Sequence, residues 1–141
     1  MKLFVGAKAL VHYKGKILLV RESDNYEEGA QSGKWDVVGG RIESSEEVRD
    51  GLVREVEEES GLSVAPVHLM GAFDGFPVIK GEKCHVVRLY FLCEATTDEV
   101  VLSKDHDEFL WIEPQNSGDL VLMDDIAEML KAVATLISRV S

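Results

Sequence analysis

The sequence predicts an α+β sandwich, a sheet held between two helices. Three observations carry the prediction. Residues 45–60 and 123–139 each repeat apolar side chains at helical spacing. Between and before them lie short alternating runs joined by turn residues, the pattern of antiparallel hairpins. Residues 84–95 hold the longest apolar run, as expected of a strand at the centre of a sheet.

Taken in order, Val5, Ala7, Ala9 and Val11 alternate, Lys14-Gly15 supplies a turn, and Ile17-Leu18-Leu19-Val20 resumes without alternation. That is a hairpin whose second strand is expected to be buried on both faces. Arg21 and Glu22 are read as leaving the strand. Residues 23–34 form a polar loop placed to overhang a pocket, with Tyr26 a surface aromatic. Trp35 to Val38 form a short strand broken by Gly39-Gly40, where missing side chains let backbone carbonyls approach a ligand.

Ser44 and Glu47 form a capping box for the helix at 45–60, and Gly61 followed by Leu62 closes it with a left-handed cap. Val64, Val67, Leu69 and Ala72 mark 63–73 as a strand that Pro66 makes an edge or bulged one. The glycine-rich stretch 74–82, with Pro77, is a hairpin loop. In the strand at 84–95, Arg88 is read as a charge on the polar face. Residues 99–102 form a short strand, 103–108 an acidic loop, and 109–112 a last strand. Ile126, Met129, Leu130, Val133, Leu136 and Ile137 line one face of the helix at 123–139, with Asp124 as its cap. The simplest role for that face is packing on the sheet.

The 141 residues suit one domain, 1–141, with a real core. The net charge is −11, and Glu43 to Glu59 supply eight acids against Arg49 and Arg54, or −6 of it. That balance argues against a nucleic-acid polymer as partner, which needs clustered Lys and Arg. Cys84 and Cys93 fall on opposite faces of one strand and are expected to be reduced thiols. The N-terminal apolar run is cut by Lys8, too short for a signal peptide, and no run reaches membrane-spanning length. The cytoplasm is the default location. Oligomeric state, a homodimer included, is not legible.

The helix at 45–60 contains an anomaly. Its inward stripe begins with Val48 and Leu52, is bordered by Val56, and turns acidic at Glu55 and Glu59 on the same azimuth. Like charges at this spacing oppose a helix by roughly 0.2 to 0.5 kcal/mol per pair. Glu57, Glu58 and Glu59 also crowd the end where the helix dipole disfavours anions. Arg54, within reach of Asp50 and Glu58, is the only cation placed to offset them. A divalent cation turns the expense into a site, and hard-oxygen clusters suit Mg²⁺.

Residues 40–62 are similar to the Nudix box of MutT-like hydrolases, Gly-x5-Glu-x7-Arg-Glu-U-x-Glu-Glu-x-Gly-U with U aliphatic. Gly40, Glu46, Arg54, Glu55, Val56, Glu58, Glu59, Gly61 and Leu62 fill all nine fixed positions over 23 residues. The departures, Val38 where Pro is common and Gly51 where Ala is usual, spare the carboxylates. The resemblance implies the Nudix-type α/β/α sandwich with a mixed sheet between helices. It also implies Mg²⁺-dependent hydrolysis of a nucleoside diphosphate linked to another moiety, with Mn²⁺ as a substitute metal. Glu55, Glu58, Glu59 and the Gly39 carbonyl become expected metal ligands, and Glu46 and Arg54 a brace between loop and helix.

The family often carries a further carboxylate, as base or ligand, near the second acidic cluster. Asp105 is the first candidate and Glu108 the second, with the base left open between them and the box glutamates. His106 is read as orienting the loop, since Mg²⁺ sites rarely recruit imidazole. Arg21 is a candidate contact for a substrate phosphate. The expected substrate is a nucleoside triphosphate, oxidised ones included, cut to the monophosphate and pyrophosphate. ADP-ribose or a nucleotide sugar is the alternative, because Pro77 stands 15 residues beyond Leu62, near a spacing associated with ADP-ribose hydrolases. A turn proline explains it equally well. A Nudix-like module that binds nucleotides without turning them over is the reading from another class, and an acidic surface helix without metal the plainest one.

Overall fold

The computed structural model describes residues 1–23 and 33–140, the side chains of 138–140 excepted. Tyr26 and most of the expected overhanging loop lie outside the described residues. Eight strands form one mixed sheet, with a helix on each face, the expected sandwich. Strands β1 (Lys2–Tyr13) and β2 (Lys16–Glu22) make the expected hairpin. Lys14 and Gly15 sit at its tip with φ of 47° and 83°, the left-handed pair that matches the twist of two strands joined by two residues. Ile17 to Val20 are fully buried, as their unbroken apolar run requires. Arg21 and Glu22, however, stay in the strand, because β8 (His106–Ile112) pairs beside β2 to its end.

β1 and β2 pair with each other only next to their turn, at His12↔Ile17 and Tyr13↔Lys16. Beyond it they diverge, and the chain from Trp35 to Arg41 fills the split. β3 (Trp35–Asp36) pairs with β2, and β4 (Val38–Arg41) pairs with β1. One short strand ending at the double glycine was expected. Instead the segment changes neighbours at Val37, and Gly39 and Gly40 are strand residues opposite Lys8 and Ala7.

On its other side β1 runs parallel to β7 (Glu82–Ala95), the longest strand. β7 in turn pairs with β5 (Val64–Gly75), an edge strand with bulges at Pro66/His68 and Leu69/Gly71, as Pro66 suggested. The expected loop at 74–82 holds a two-residue strand, β6 (Val78–Ile79), paired back on β7. Residues 99–102 form no strand. Their backbone runs past the end of the first helix, where the Val101 and Ser103 N–H groups donate to the Ser60 and Glu59 carbonyls. Those carbonyls have no partner inside the helix, so capping outcompetes sheet pairing here.

Helix α1 (Val48–Ser60) buries Leu52 and Val56 against Ala7, Ala9, Leu18, Val20 and Phe91, with Val48 half-buried beside them. It ends on Gly61 at φ 73°, as expected, and starts three residues later than the capping box suggested. Glu47 occupies the N-cap without a side-chain bond. Helix α2 (Ile126–Val140) buries Ile126, Met129, Leu130 and Val133 on the opposite face, against Leu10, Ile17, Leu19 and Tyr90. It too starts late, because Asp125 is left-handed, with φ of 74°, and breaks the helical run after Asp124. Cys84 and Cys93 are buried free thiols, and burial pushes the Cys93 thiol up to about 12.

Candidate active site

The split between β1 and β2 opens into a cavity of about 460 Å³ lined by Lys8, Glu22, Asp36, Gly39, Gly40, Arg41, Glu55, Glu58, Glu59, Asp105, His106 and Met123. The three glutamates expected as metal ligands, Glu55, Glu58 and Glu59, therefore meet the double glycine in one place. The Gly39 N–H donates to Glu59 Oε1 at 2.7 Å. A Cβ on Gly40 would stand 2.6 Å from the Glu55 carboxylate, so the backbone runs directly beneath that side chain.

Arg54 organises the outer side of the cluster. Its Nε and Nη2 donate to the two oxygens of Glu46 at 2.7 and 3.0 Å, and its Nη1 to Glu55 at 3.1 Å and Glu58 at 3.2 Å. The Glu46 carboxylate also accepts the Glu43 N–H at 3.0 Å. The glutamate one place before the expected capping residue thus closes the turn, because the guanidinium holds it there. Arg54 accordingly lowers Glu46 to about 2. This is the brace that the resemblance implied.

The inner side is buried and short of positive charge. Burial raises Glu55 despite Arg54. Burial raises Glu59 further, to about 7, against the pull of Lys8 and the Gly39 N–H. Lys8 donates to Asp36 at 2.9 Å. Burial works against its ammonium, but Asp36 and Glu59 outweigh it and hold Lys8 above the usual lysine range. Among the described residues no three His, Cys, Asp or Glu side chains are already closed on a common point. The donor set is nonetheless one a hard cation fits: carboxylates converge on one cavity, and burial drives two of them, Glu55 and Glu59, towards protonation even against the pull of Arg54 and Lys8.

Glu59 has a consequence for stability. Its native pKa of about 7 exceeds the ordinary 4.5, so the folded state binds that proton more tightly than the unfolded chain does. The stabilisation is complete below 4.5 and is lost as pH rises through about 7. Metal-free protein is therefore expected to lose Tm between pH 5 and 8. Glu59→Gln should remove a part of that slope worth on the order of 2 kcal/mol. Thermal melts of both proteins in chelator across this range check it; parallel pH profiles would refute it.

The remaining candidates divide. Asp105 is tied to the end of β2 by its carbonyl, which accepts the Ser23 N–H at 2.9 Å, and it lines the cavity. His106 lines it too. Its Nδ1 is buried with no hydrogen-bond partner among the described residues, and burial lowers its pKa. Arg21 and Glu108 face each other across β2 and β8. Arg21 pairs with Asp107 at 2.8 Å and Glu108 at 3.1 Å, and neither Arg21 nor Glu108 is among the residues lining the cavity.

Sequence reasoning missed a second cavity of about 580 Å³ beside the first. It is lined by Lys8, Asp36, Asp74, Gly75, Phe76, Pro77, Arg88, Tyr90, Met123, Asp124 and Asp125, and it shares Lys8, Asp36 and Met123 with the first cavity. Trp35 holds the chain before α2 against this region: its N–H donates to Val121, and its carbonyl accepts from Met123. Arg88, expected on a polar strand face, instead donates to Asp125 at 2.9 and 2.6 Å inside this cavity. Gly75 leaves room for that pair, since a Cβ there would stand 2.7 Å from the Arg88 guanidinium and push it aside. For Lys8 and Arg88 alike, the signal was a charge within an otherwise apolar strand.

Comparison with known proteins agrees with this geometry. The NUDIX domain family profile matches residues 3–133. The chain is 27% identical over 118 residues to the nucleoside triphosphatase NudI of Escherichia fergusonii, covering 76% of this chain and 79% of that protein. Its fold superposes on the MutT protein of Methanosarcina mazei Go1 with a TM-score of 0.80 and 26% identity, over 96% of both chains. It also superposes on a MutT NUDIX hydrolase of Burkholderia pseudomallei with a TM-score of 0.78 and 24% identity, over 94% of this chain and 99% of that one. With the box, the brace and the sandwich all in place, the chain belongs to the Nudix family of hydrolases.

Proposed function

We propose that this hydrolase cuts nucleoside triphosphates to the monophosphate and pyrophosphate, dependent on Mg²⁺ or, in its place, Mn²⁺. The observation that carries the reading is the pair of adjoining cavities, one walled by carboxylates and the other by Phe76, Tyr90, Met123 and the Arg88–Asp125 pair. The first suits a metal-bound phosphate chain. The second offers apolar surface and polar edges for a nucleoside. The name of the Escherichia fergusonii relative, nucleoside triphosphatase, supports the same substrate class.

Glu55, Glu58 and Glu59, with the Gly39 carbonyl, are the residues proposed to hold the cation. When bound, it neutralises charge on the bridging phosphates and makes water a better nucleophile. Water adds to the nucleoside-linked phosphorus, the bridging P–O bond breaks, and pyrophosphate leaves. The proton of the attacking water needs an acceptor on the cavity wall. Asp105 is better supported in that role than Glu108, whose carboxylate is engaged by Arg21. Arg54 positions Glu55 and Glu58 through its bonds to both.

Hydrolysis of ADP-ribose or a nucleotide sugar is the second reading, favoured by the position of Pro77 on the wall of the second cavity. A panel of dNTPs, NTPs, oxidised dNTPs, ADP-ribose, nucleotide sugars and dinucleoside polyphosphates, with Mg²⁺ and in chelator, tests both. The expected result is Mg²⁺-dependent release of pyrophosphate from a triphosphate at the highest kcat/KM in the panel. Faster turnover of ADP-ribose moves the assignment to the second reading. Binding without turnover would make the protein a nucleotide-binding module.

A further inference from the structure

We propose that Lys8, held by Asp36 at the joint of the two cavities, binds the phosphate that carries the nucleoside. The inference rests on the function proposed above and adds to it a specific contact. Lysine is among the side chains least often buried, yet Lys8 and Asp36 each expose only 16% of their side chains. Their strand register places Lys8 between Gly39 of β4 and Tyr90 of β7, one neighbour on the wall of each cavity. Lys8 lines both cavities.

A structural role alone accounts poorly for the pair. Burying two charges costs as much as their attraction returns, and apolar residues of similar size generally serve stability as well or better. The ammonium has three donors, and Asp36 accepts one of them, at 2.9 Å. The carboxylate-rich first cavity otherwise has only Arg41 as a cation among its described lining residues. Arg88, the other cation of the second cavity, is committed to Asp125 by two hydrogen bonds. If phosphates occupy the first cavity and the nucleoside the second, the phosphate at the junction meets Lys8. A lysine there acts as a compact point charge with donors to spare.

The test compares wild type with Lys8→Met and with the double variant Lys8→Met/Asp36→Asn, which avoids leaving Asp36 unpaired. The common nucleoside monophosphates and their matching nucleosides, in Mg²⁺, are titrated by ligand-observed NMR, and kcat and KM are measured on the best triphosphate. The expected result is at least tenfold weaker binding of the monophosphate, nucleoside binding within twofold of wild type, and a raised KM. Equal weakening of nucleoside and monophosphate would reduce Lys8 to a structural residue, and unchanged monophosphate binding would overturn the proposal outright. If wild type binds no monophosphate and turns over no triphosphate, the function proposed above fails and the Lys8 assignment falls with it. If wild type does both and the double variant matches it, only the Lys8 assignment falls.

Discussion

Glu58→Gln combined with Glu59→Gln is expected to lower turnover of every accepted nucleotide by roughly a thousandfold or more, the rate equivalent of the several kcal/mol a catalytic cation supplies. The fold should survive. Glu58 is exposed and Glu59 half-buried, and neither belongs to the apolar contact between α1 and the sheet, which is made by Leu52 and Val56. The glutamine amide that replaces the Glu59 carboxylate can still accept the Gly39 N–H through its oxygen. What the variant removes is anionic charge, on which the proposed affinity for a hard cation rests. Two measurements separate this from simple damage. Circular dichroism and a thermal melt in chelator should match or exceed wild type at pH 8, since an ionised buried carboxylate is gone. Mg²⁺ is expected to raise the Tm of wild type, and that increase should vanish in the variant. Mg²⁺-stimulated turnover persisting in the double variant would overturn the assignment of these glutamates.

Much of this region was legible because helical spacing and chemistry pointed the same way. A stripe that starts with Val48 and Leu52 and continues into Glu55 and Glu59 leads from packing to a polar site, and the structure places those two ends against the sheet and the cavity respectively. The errors came where a local signal met a stronger tertiary partner. Ser44 and Glu47 carry the spacing of a capping box, but Arg54 holds Glu46 from two turns away and the helix begins only at Val48. Asp124 has cap chemistry, yet Asp125 turns left-handed beside it and gives its carboxylate to Arg88.

The second cavity was invisible for a different reason. It draws on β1, β3, β5, β7, the Phe76-Pro77 turn and the segment before α2, and no spacing within any one of them signals the others. Arg21 illustrates the same limit in reverse. Its place at the end of a strand near the site suggested a phosphate contact, but the register between β2 and β8 sets it opposite Glu108. Lys8 interrupts the N-terminal apolar run, and the sequence offered no means of telling that its partner would be Asp36, 28 residues away.

The adjacent glycines Gly39 and Gly40, at the start of the box, are expected to fail in opposite ways when replaced by alanine. Gly39 has φ of 147°, and a Cβ there would stand 2.3 Å from the Ala7 carbonyl oxygen and 2.7 Å from the Lys8 Cα. Both obstacles are backbone atoms of a strand paired on its other side to β7, so neither can move without disturbing the sheet. The backbone conformation alone costs an alanine about 1 to 3 kcal/mol, and the overpacking roughly as much again. Against a typical total of about 5 to 15 kcal/mol, Gly39→Ala should lower Tm sharply or prevent folding. Gly40 has no such backbone constraint. Its added Cβ meets the Glu55 carboxylate at 2.6 Å, the far end of a side chain that can swing away. Gly40→Ala should therefore keep Tm within a few degrees of wild type while displacing Glu55 from its place above the backbone, and lose turnover. Thermal melts and kcat/KM on the same two variants decide it. A stable, active Gly39→Ala protein would contradict the path of β4 through the split sheet, and full activity in Gly40→Ala would remove Glu55 from the proposed metal site.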